Sequence, residues 1–118
     1  VDALKAAMAG VGAVFHCASV IDIRPVPSLR MHHVNVAGTV AVITAAKACK
    51  VGALVYTASL EVVSGTDVHG VAKELDGVDD ACPIPASHHL PYASTKAYAE
   101  RLVLSADCAE LRTCSIRP

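Results

Sequence analysis

The order of apolar and polar positions predicts a chain of alternating helices and short buried strands. Val1, Leu4 and Met8, with small residues between them and Gly10 just beyond, predict a short helix over 1–9 that closes on a glycine. Ala13-Val14-Phe15-His16-Cys17-Ala18 is a short apolar run and reads as a buried strand. Pro25 and Pro27 then forbid a regular helix across Ser19 to Pro27. Ser28 is placed to cap a long helix running to about Lys50, stopped by Gly52. Ala53 to Thr57 reads as a second strand. From about Leu60 to Leu90 no period is sustained, and Gly65, Gly70, Gly77, Pro83 and Pro85 mark an irregular segment. A helix opening near Tyr92 and running to about Asp107, then a strand over Arg112 to Ile116, complete the pattern.

Strands separated by helices of this length predict parallel strands joined by right-handed crossovers. That is an α/β fold, a three-layer Rossmann-type doubly wound sheet. In such sheets ligands bind beyond the carboxyl ends of the strands. Those ends here are His16 to Ser19 and Thr57 to Ser59, so Ser59 is expected at the binding edge. An irregular stretch as long as 60–90 inside a compact domain tends to be functional.

Composition narrows the classes of function. The 118 residues suit one small domain. Hydrophobic residues make up 53% and aromatics only 3%, which predicts a core of small aliphatic side chains, as where helices lie close against a parallel sheet. A net charge of −1 and no basic run give no reason to expect nucleic acid or an anionic membrane as partner. No apolar run reaches the ~18–20 residues that span a bilayer. Five widely spaced cysteines (Cys17, Cys49, Cys82, Cys108, Cys114) with no C-x-x-C pair read as reduced, buried thiols of an intracellular protein. The pairs His32-His33 and His88-His89 read as surface or loop residues, and no metal site is expected. Glu74, Asp76, Asp79 and Asp80 read as a solvated loop surface.

The chemistry-bearing stretch is Pro91-Tyr92-Ala93-Ser94-Thr95-Lys96-Ala97-Tyr98-Ala99-Glu100. On a helix, Tyr92 and Lys96 project from one face one turn apart. A phenol is a poor acid or base near neutral pH, with a reference pKa of about 10, and a cation beside it favours the phenolate. Such a pair can pass a proton to or from an alcohol or carbonyl oxygen. Tyr98 reads as a packing or partly exposed residue, and Gly38 and Thr39 as close helix–sheet packing.

Five stretches, in order, resemble the extended, NAD-using branch of the short-chain dehydrogenase/reductase superfamily, and most closely the 3β-hydroxysteroid dehydrogenase/isomerase family. They are Val14-Phe15-His16-Cys17-Ala18-Ser19, Val34-Asn35-Val36-Ala37-Gly38-Thr39, Leu54 to Val63, Pro91 to Lys96 with Ala99-Glu100-Arg101, and Leu111 to Pro118. The resemblance implies Tyr92 as general acid/base, Lys96 as its partner and ligand of the nicotinamide ribose, and Ser59 as donor to the substrate oxygen. It implies Asn35 as support for the proton relay to Lys96. His16, Cys17, Ala18 and Ser19 would line the cofactor, with Tyr92, Lys96 and Pro118 also beside it.

The implied cofactor is NAD, with NADP as the alternative. The implied substrate is a sterol-like hydroxyl or keto compound. The same residues also suit a nucleotide-sugar epimerase or dehydratase, a flavonoid-type ketone reductase or, in another class, a non-catalytic scaffold of the same fold. A homodimer stays open as the assembly, and the cytoplasm or the cytoplasmic face of the endoplasmic reticulum as the location. The family's Gly-x-x-Gly-x-x-Gly loop has no counterpart, since Gly10-Val11-Gly12 precedes a strand. The chain therefore reads as the central part, 1–118, of one nucleotide-binding domain of a longer enzyme, with negligible NAD affinity on its own.

Overall fold

The computed structural model describes residues 1–67, 69–71 and 75–118. Helix α1 (Asp2–Met8) leads through Gly10, whose φ of 75° suits a residue without a side chain, into strand β1 (Ala13–His16). Helix α2 (Leu29–His32) is capped by the Ser28 hydroxyl, which accepts from the Met31 amide at 3.3 Å. It runs through one wider turn, a π-helix over His33–Ala37, into α3 (Gly38–Ala48). Strand β2 (Ala53–Thr57), a 3₁₀ turn (Leu60–Val63), helix α4 (Pro91–Ser105) and strand β3 (Arg112–Ile116) follow.

The strands form one parallel sheet in the order β1-β2-β3, with Ala13 opposite Ala53 and Ala53 opposite Arg112. Alternation along the strands separates two faces. Leu54 and Tyr56 of β2, with Val14 and His16 of β1, turn toward the helices. There the core joins Met8, Val42, Ala45, Ala46, Val51, Leu54, Tyr56, Ala97, Val103 and Leu111. Alanines recur where α3 and α4 face the core: Ala45, Ala46, Ala97 and Ala99 are all buried there. The opposite face carries Phe15, 70% exposed, and Ile116, 51% exposed. Among the described residues the helices cover one face of the sheet; the second helical layer expected of a doubly wound fold is not among them.

Four expectations are corrected. The long helix after Ser28 is not regular, because the π turn interrupts it at Asn35. The first strand stops at His16, not Ala18, because the chain beyond it is pulled from the ladder by bonds to Asn35 described below. The described residues of 60–90 are less irregular than the composition suggests. They open with the 3₁₀ turn and are pinned by an antiparallel bridge between Gly65 and His88, where an added Cβ at Gly65 would stand 3.0 Å from the Pro85 ring. The cysteines are free but not buried: Cys17 and Cys114 are exposed and the other three half-buried.

His32, His33 and His89 are exposed, whereas His88 bonds the Val62 carbonyl at 2.9 Å. Among the described residues no group of His, Cys, Asp or Glu is placed to hold a metal ion, and no helix is long and apolar enough to cross a membrane. Asp76, Asp79 and Asp80 are exposed; Glu74 lies outside the described residues. Tyr98 is 54% exposed.

Leu54 is fully buried at the centre of the sheet. Leu54→Ala removes that packing and leaves a cavity, and is expected to lower the unfolding free energy of the native protein by about 2–5 kcal/mol. Urea denaturation checks this; a loss below about 1 kcal/mol would contradict the packing described.

Candidate active site

Helix α4 starts with Pro91 at its first position, where the fixed φ suits the helix and no amide donor is wasted. Tyr92, Lys96 and Glu100 follow at four-residue spacing and stand on its buried face, against β2 and β3. Lys96 is 2% exposed. Its Nζ donates to the Thr57 carbonyl and lies 4.5 Å from the centroid of the Tyr56 ring. Two consecutive residues of β2 thus hold the ammonium, two positions before Ser59. Burial pulls the Lys96 ammonium down to about 8, against smaller opposing effects of Cys17 and Glu100. Burial likewise pushes the Tyr56 phenol up, reinforced by Tyr92 and Glu100.

Glu100 is 1% exposed and accepts from Arg117 Nε at 3.0 Å through one oxygen. Its other oxygen, with the Thr113 and Ser115 hydroxyls, is buried without a partner among the described residues. All three line a cavity of about 540 Å³ beside Arg117, roomy and polar enough for water.

Ser59 is the half-buried residue that opens the 3₁₀ turn, and its Oγ accepts from the Glu61 amide at 3.2 Å. A hydroxyl has one proton and two lone pairs, so this capping bond leaves the Ser59 proton free to donate elsewhere.

Asn35, 1% exposed, is spent in full on positioning. Its Oδ1 accepts from the Val20 amide at 2.8 Å and from the Ser19 hydroxyl at 3.2 Å. Its Nδ2 donates to the Val20 carbonyl at 3.0 Å and to Thr95 Oγ1 at 3.1 Å. One side chain in the π turn therefore ties the segment after β1 to α4, one residue before Lys96. The Thr39 hydroxyl donates to the Asn35 carbonyl at 2.7 Å, and His16 Nε2 stands 2.9 Å from the same hydroxyl oxygen. With the Thr39 proton committed, His16 must be the donor, so Nε2 carries a proton and the neutral ring is the Nε2–H tautomer. Burial, and secondarily the charge of Lys96, hold His16 below the usual imidazole range. Thr39 therefore packs closely, as expected, but also joins two site residues. Gly38 is not demanded by packing, since an added Cβ would meet only the His33 carbonyl at an ordinary 3.6 Å.

Cys17 and Ala18 are exposed past the end of β1, and Cys17 Sγ lies 3.2 Å from the Thr57 hydroxyl. With His16, Val34 and Gly38 they line a cavity of about 500 Å³. Pro118 is exposed, and its carbonyl accepts from the Leu60 amide at 3.2 Å. The structure thus brings His16, Cys17, Ser19, Asn35 and Lys96 together around the ends of β1 and β2. Tyr92 stands one turn before Lys96, and Ser59 caps the turn that follows β2.

Sequence reasoning missed Tyr56, Thr95 and the Glu100–Arg117 pair. The four-residue spacing from Lys96 to Glu100 was a usable signal for the pair. Alternation along β2 was one for Tyr56, since it shares a face with Leu54. Nothing local singled out Thr95.

The family model described as the 3-beta hydroxysteroid dehydrogenase/isomerase family matches residues 1–118. Human 3 beta-hydroxysteroid dehydrogenase type 7 is 40% identical over 98% of this chain and 32% of its own length. The 2-alkyl-3-oxoalkanoate reductase of Stenotrophomonas maltophilia is 38% identical over 99% of this chain and 34% of its own. A crystal structure of a short-chain dehydrogenase/reductase superfamily protein from Agrobacterium tumefaciens with bound NAD superposes with a TM-score of 0.79. It is 31% identical over 98% of this chain and 34% of that one. The chain spans about a third of the length of the curated relatives it matches.

The neutral, buried His16 gives a pH prediction. Its folded pKa is depressed, so the unfolded state takes up the proton first as the pH falls below about 6.5. Stability is full above that range and is lost below it. Unfolding free energies measured from pH 7.5 to 5 should decline, and decline less steeply in His16→Gln. An equal slope in the two proteins contradicts the assignment.

Proposed function

The chain belongs to the 3-beta hydroxysteroid dehydrogenase/isomerase family, and from that premise we propose that it carries the proton-handling centre of an NAD-dependent oxidoreductase acting on a hydroxyl or keto group of a sterol-like substrate. The observation that carries the reading is the placement of Lys96. It is a buried ammonium on the same helix face as Tyr92, bonded to the strand end two residues before Ser59. Burying a cation is costly, and a packing role alone would be met by an aliphatic side chain.

Oxidation of a secondary alcohol breaks a C–H and an O–H bond and forms a carbonyl. Bound NAD supplies the hydride acceptor. The protein handles the proton: Tyr92, as phenolate, accepts it from the substrate hydroxyl while the Lys96 charge stabilises the anion before transfer. Ser59 donates its free proton to the same oxygen and holds it in line. In the reverse direction Tyr92 gives its proton to a carbonyl oxygen, the direction named in the Stenotrophomonas relative.

The residues suit the cofactor. Lys96 spends one donor on Thr57 and has two more for the ribose hydroxyls, and the small, exposed Cys17 and Ala18 leave open backbone beside the cavity after β1. His16 lines that cavity and Ser19 follows in the same segment, whereas Pro118 lies after β3 with its carbonyl bonded to the Leu60 amide. Asn35 fixes the segment and the helix to each other rather than touching substrate. We assign residues 1–118 to the central part of one such domain. The human relative supports a sterol-like substrate.

Turnover and cofactor affinity of the native protein test the division of labour. Tyr92→Phe should lower turnover at least ~100-fold with nearly unchanged NAD affinity, whereas Lys96→Ala should weaken both. Equal loss of NAD binding in the two variants, or full activity of Tyr92→Phe, overturns the reading.

A further inference from the structure

Beneath Lys96 lies a residue that neither the motif nor the chemistry above uses. Tyr56 is 1% exposed on β2, and the Lys96 ammonium stands 4.5 Å from its ring centroid. That is well inside the ~6 Å at which an aromatic face attracts a cation, and the attraction is strongest where water is excluded. The ring of His16, 5.5 Å away and tilted by 43°, packs against Tyr56 from β1 and limits where its plane can turn.

We propose that Tyr56 is a positioning residue for the catalytic site: its ring face supports the charged form of Lys96 and fixes the height of the ammonium above the sheet. The inference rests on the reading of Lys96 given above. Cys17 and Glu100 favour the charge from beside the ammonium, but only the Thr57 carbonyl and the ring face are shown in contact with it among the described residues. From β1, His16 is neutral and donates to Thr39, and Cys17 lies beside Thr57. From β2 comes the Thr57 carbonyl, which takes one N–H. From α4, Glu100 gives one oxygen to Arg117 of the segment after β3, and Tyr92 is the reacting group. The carbonyl and the ring face are the two neutral acceptors the structure sets against a cation that burial disfavours. The carbonyl fixes direction and the ring supplies breadth, so Lys96 stays charged without surrendering its remaining donors.

The test is an NMR titration of Lys96 in the native protein labelled with [ε-¹³C]lysine, its signal assigned by loss in Lys96→Arg. The wild-type midpoint is expected near 8. Tyr56→Phe keeps the ring and should leave the midpoint almost in place. Phenylalanines at position 56 carrying one, two and three fluorines keep the shape while draining the face of negative charge. They should lower the midpoint step by step, by about one pH unit over the series.

The alkaline limb of kcat/KM should move in the same order, since Lys96 then loses its proton at lower pH. A flat or rising midpoint across the fluorinated series overturns the proposal. So does a Tyr56→Phe midpoint as low as that of the trifluorinated form, which would place the effect in the hydroxyl. Because the titration needs no turnover, a failure of the oxidoreductase reading, seen as full activity of Tyr92→Phe, remains separate from it.

Discussion

A positive charge buried in a parallel α/β layer has to be compensated within a few ångströms, and most of what is special in this chain follows from that constraint. Lys96 lies 2% exposed between α4 and the sheet. An unpaired ammonium there would cost several kcal/mol. The strand beneath meets the cost with groups that carry no formal charge, the Thr57 carbonyl and the Tyr56 ring. The nearest carboxylate on the helix, Glu100, is already engaged by Arg117. A neutral cradle suits the proposed task of stabilising a developing anion, because a tight carboxylate partner would spend the charge before the reaction could use it.

The second device is the π turn. A widened turn inside a helix places a side chain and a carbonyl where a regular helix would not, and such turns are frequent at functional sites. Here it puts Asn35 across three elements: the segment after β1, α4 through Thr95, and β1 itself through Thr39 and His16. The two devices meet on α4, where Thr95 and Lys96 are neighbours. Positioning of the segment that would line a cofactor is thereby coupled to positioning of the ammonium.

The fold was legible from the chain wherever the signal was local. The readings over 53–57 and 112–116 match β2 and β3 to the residue, Ser28 and Gly10 marked helix ends, and the Tyr92–Lys96 spacing matches two residues on the buried face of α4. What was illegible depended on contacts distant in sequence. The π turn has no local signature, since Val34 to Gly38 fits a regular helix equally well. The end of β1 is set by Asn35, about twenty residues on. Cys17 and Cys114 were expected inside because cysteine is usually buried, yet both stand on surface that the described helices do not cover. Ser59 was assigned to the substrate and is found capping a turn, a role that leaves its proton free.

The proposed chemistry requires Ser59 and Tyr92 to share one oxygen of a substrate. A crystal structure of the native protein with NAD and an unreactive secondary alcohol tests it most directly. The alcohol oxygen is expected within about 3.2 Å of both Ser59 Oγ and Tyr92 Oη, with Lys96 still bonded to Thr57. An alcohol oxygen out of reach of Tyr92 would contradict it.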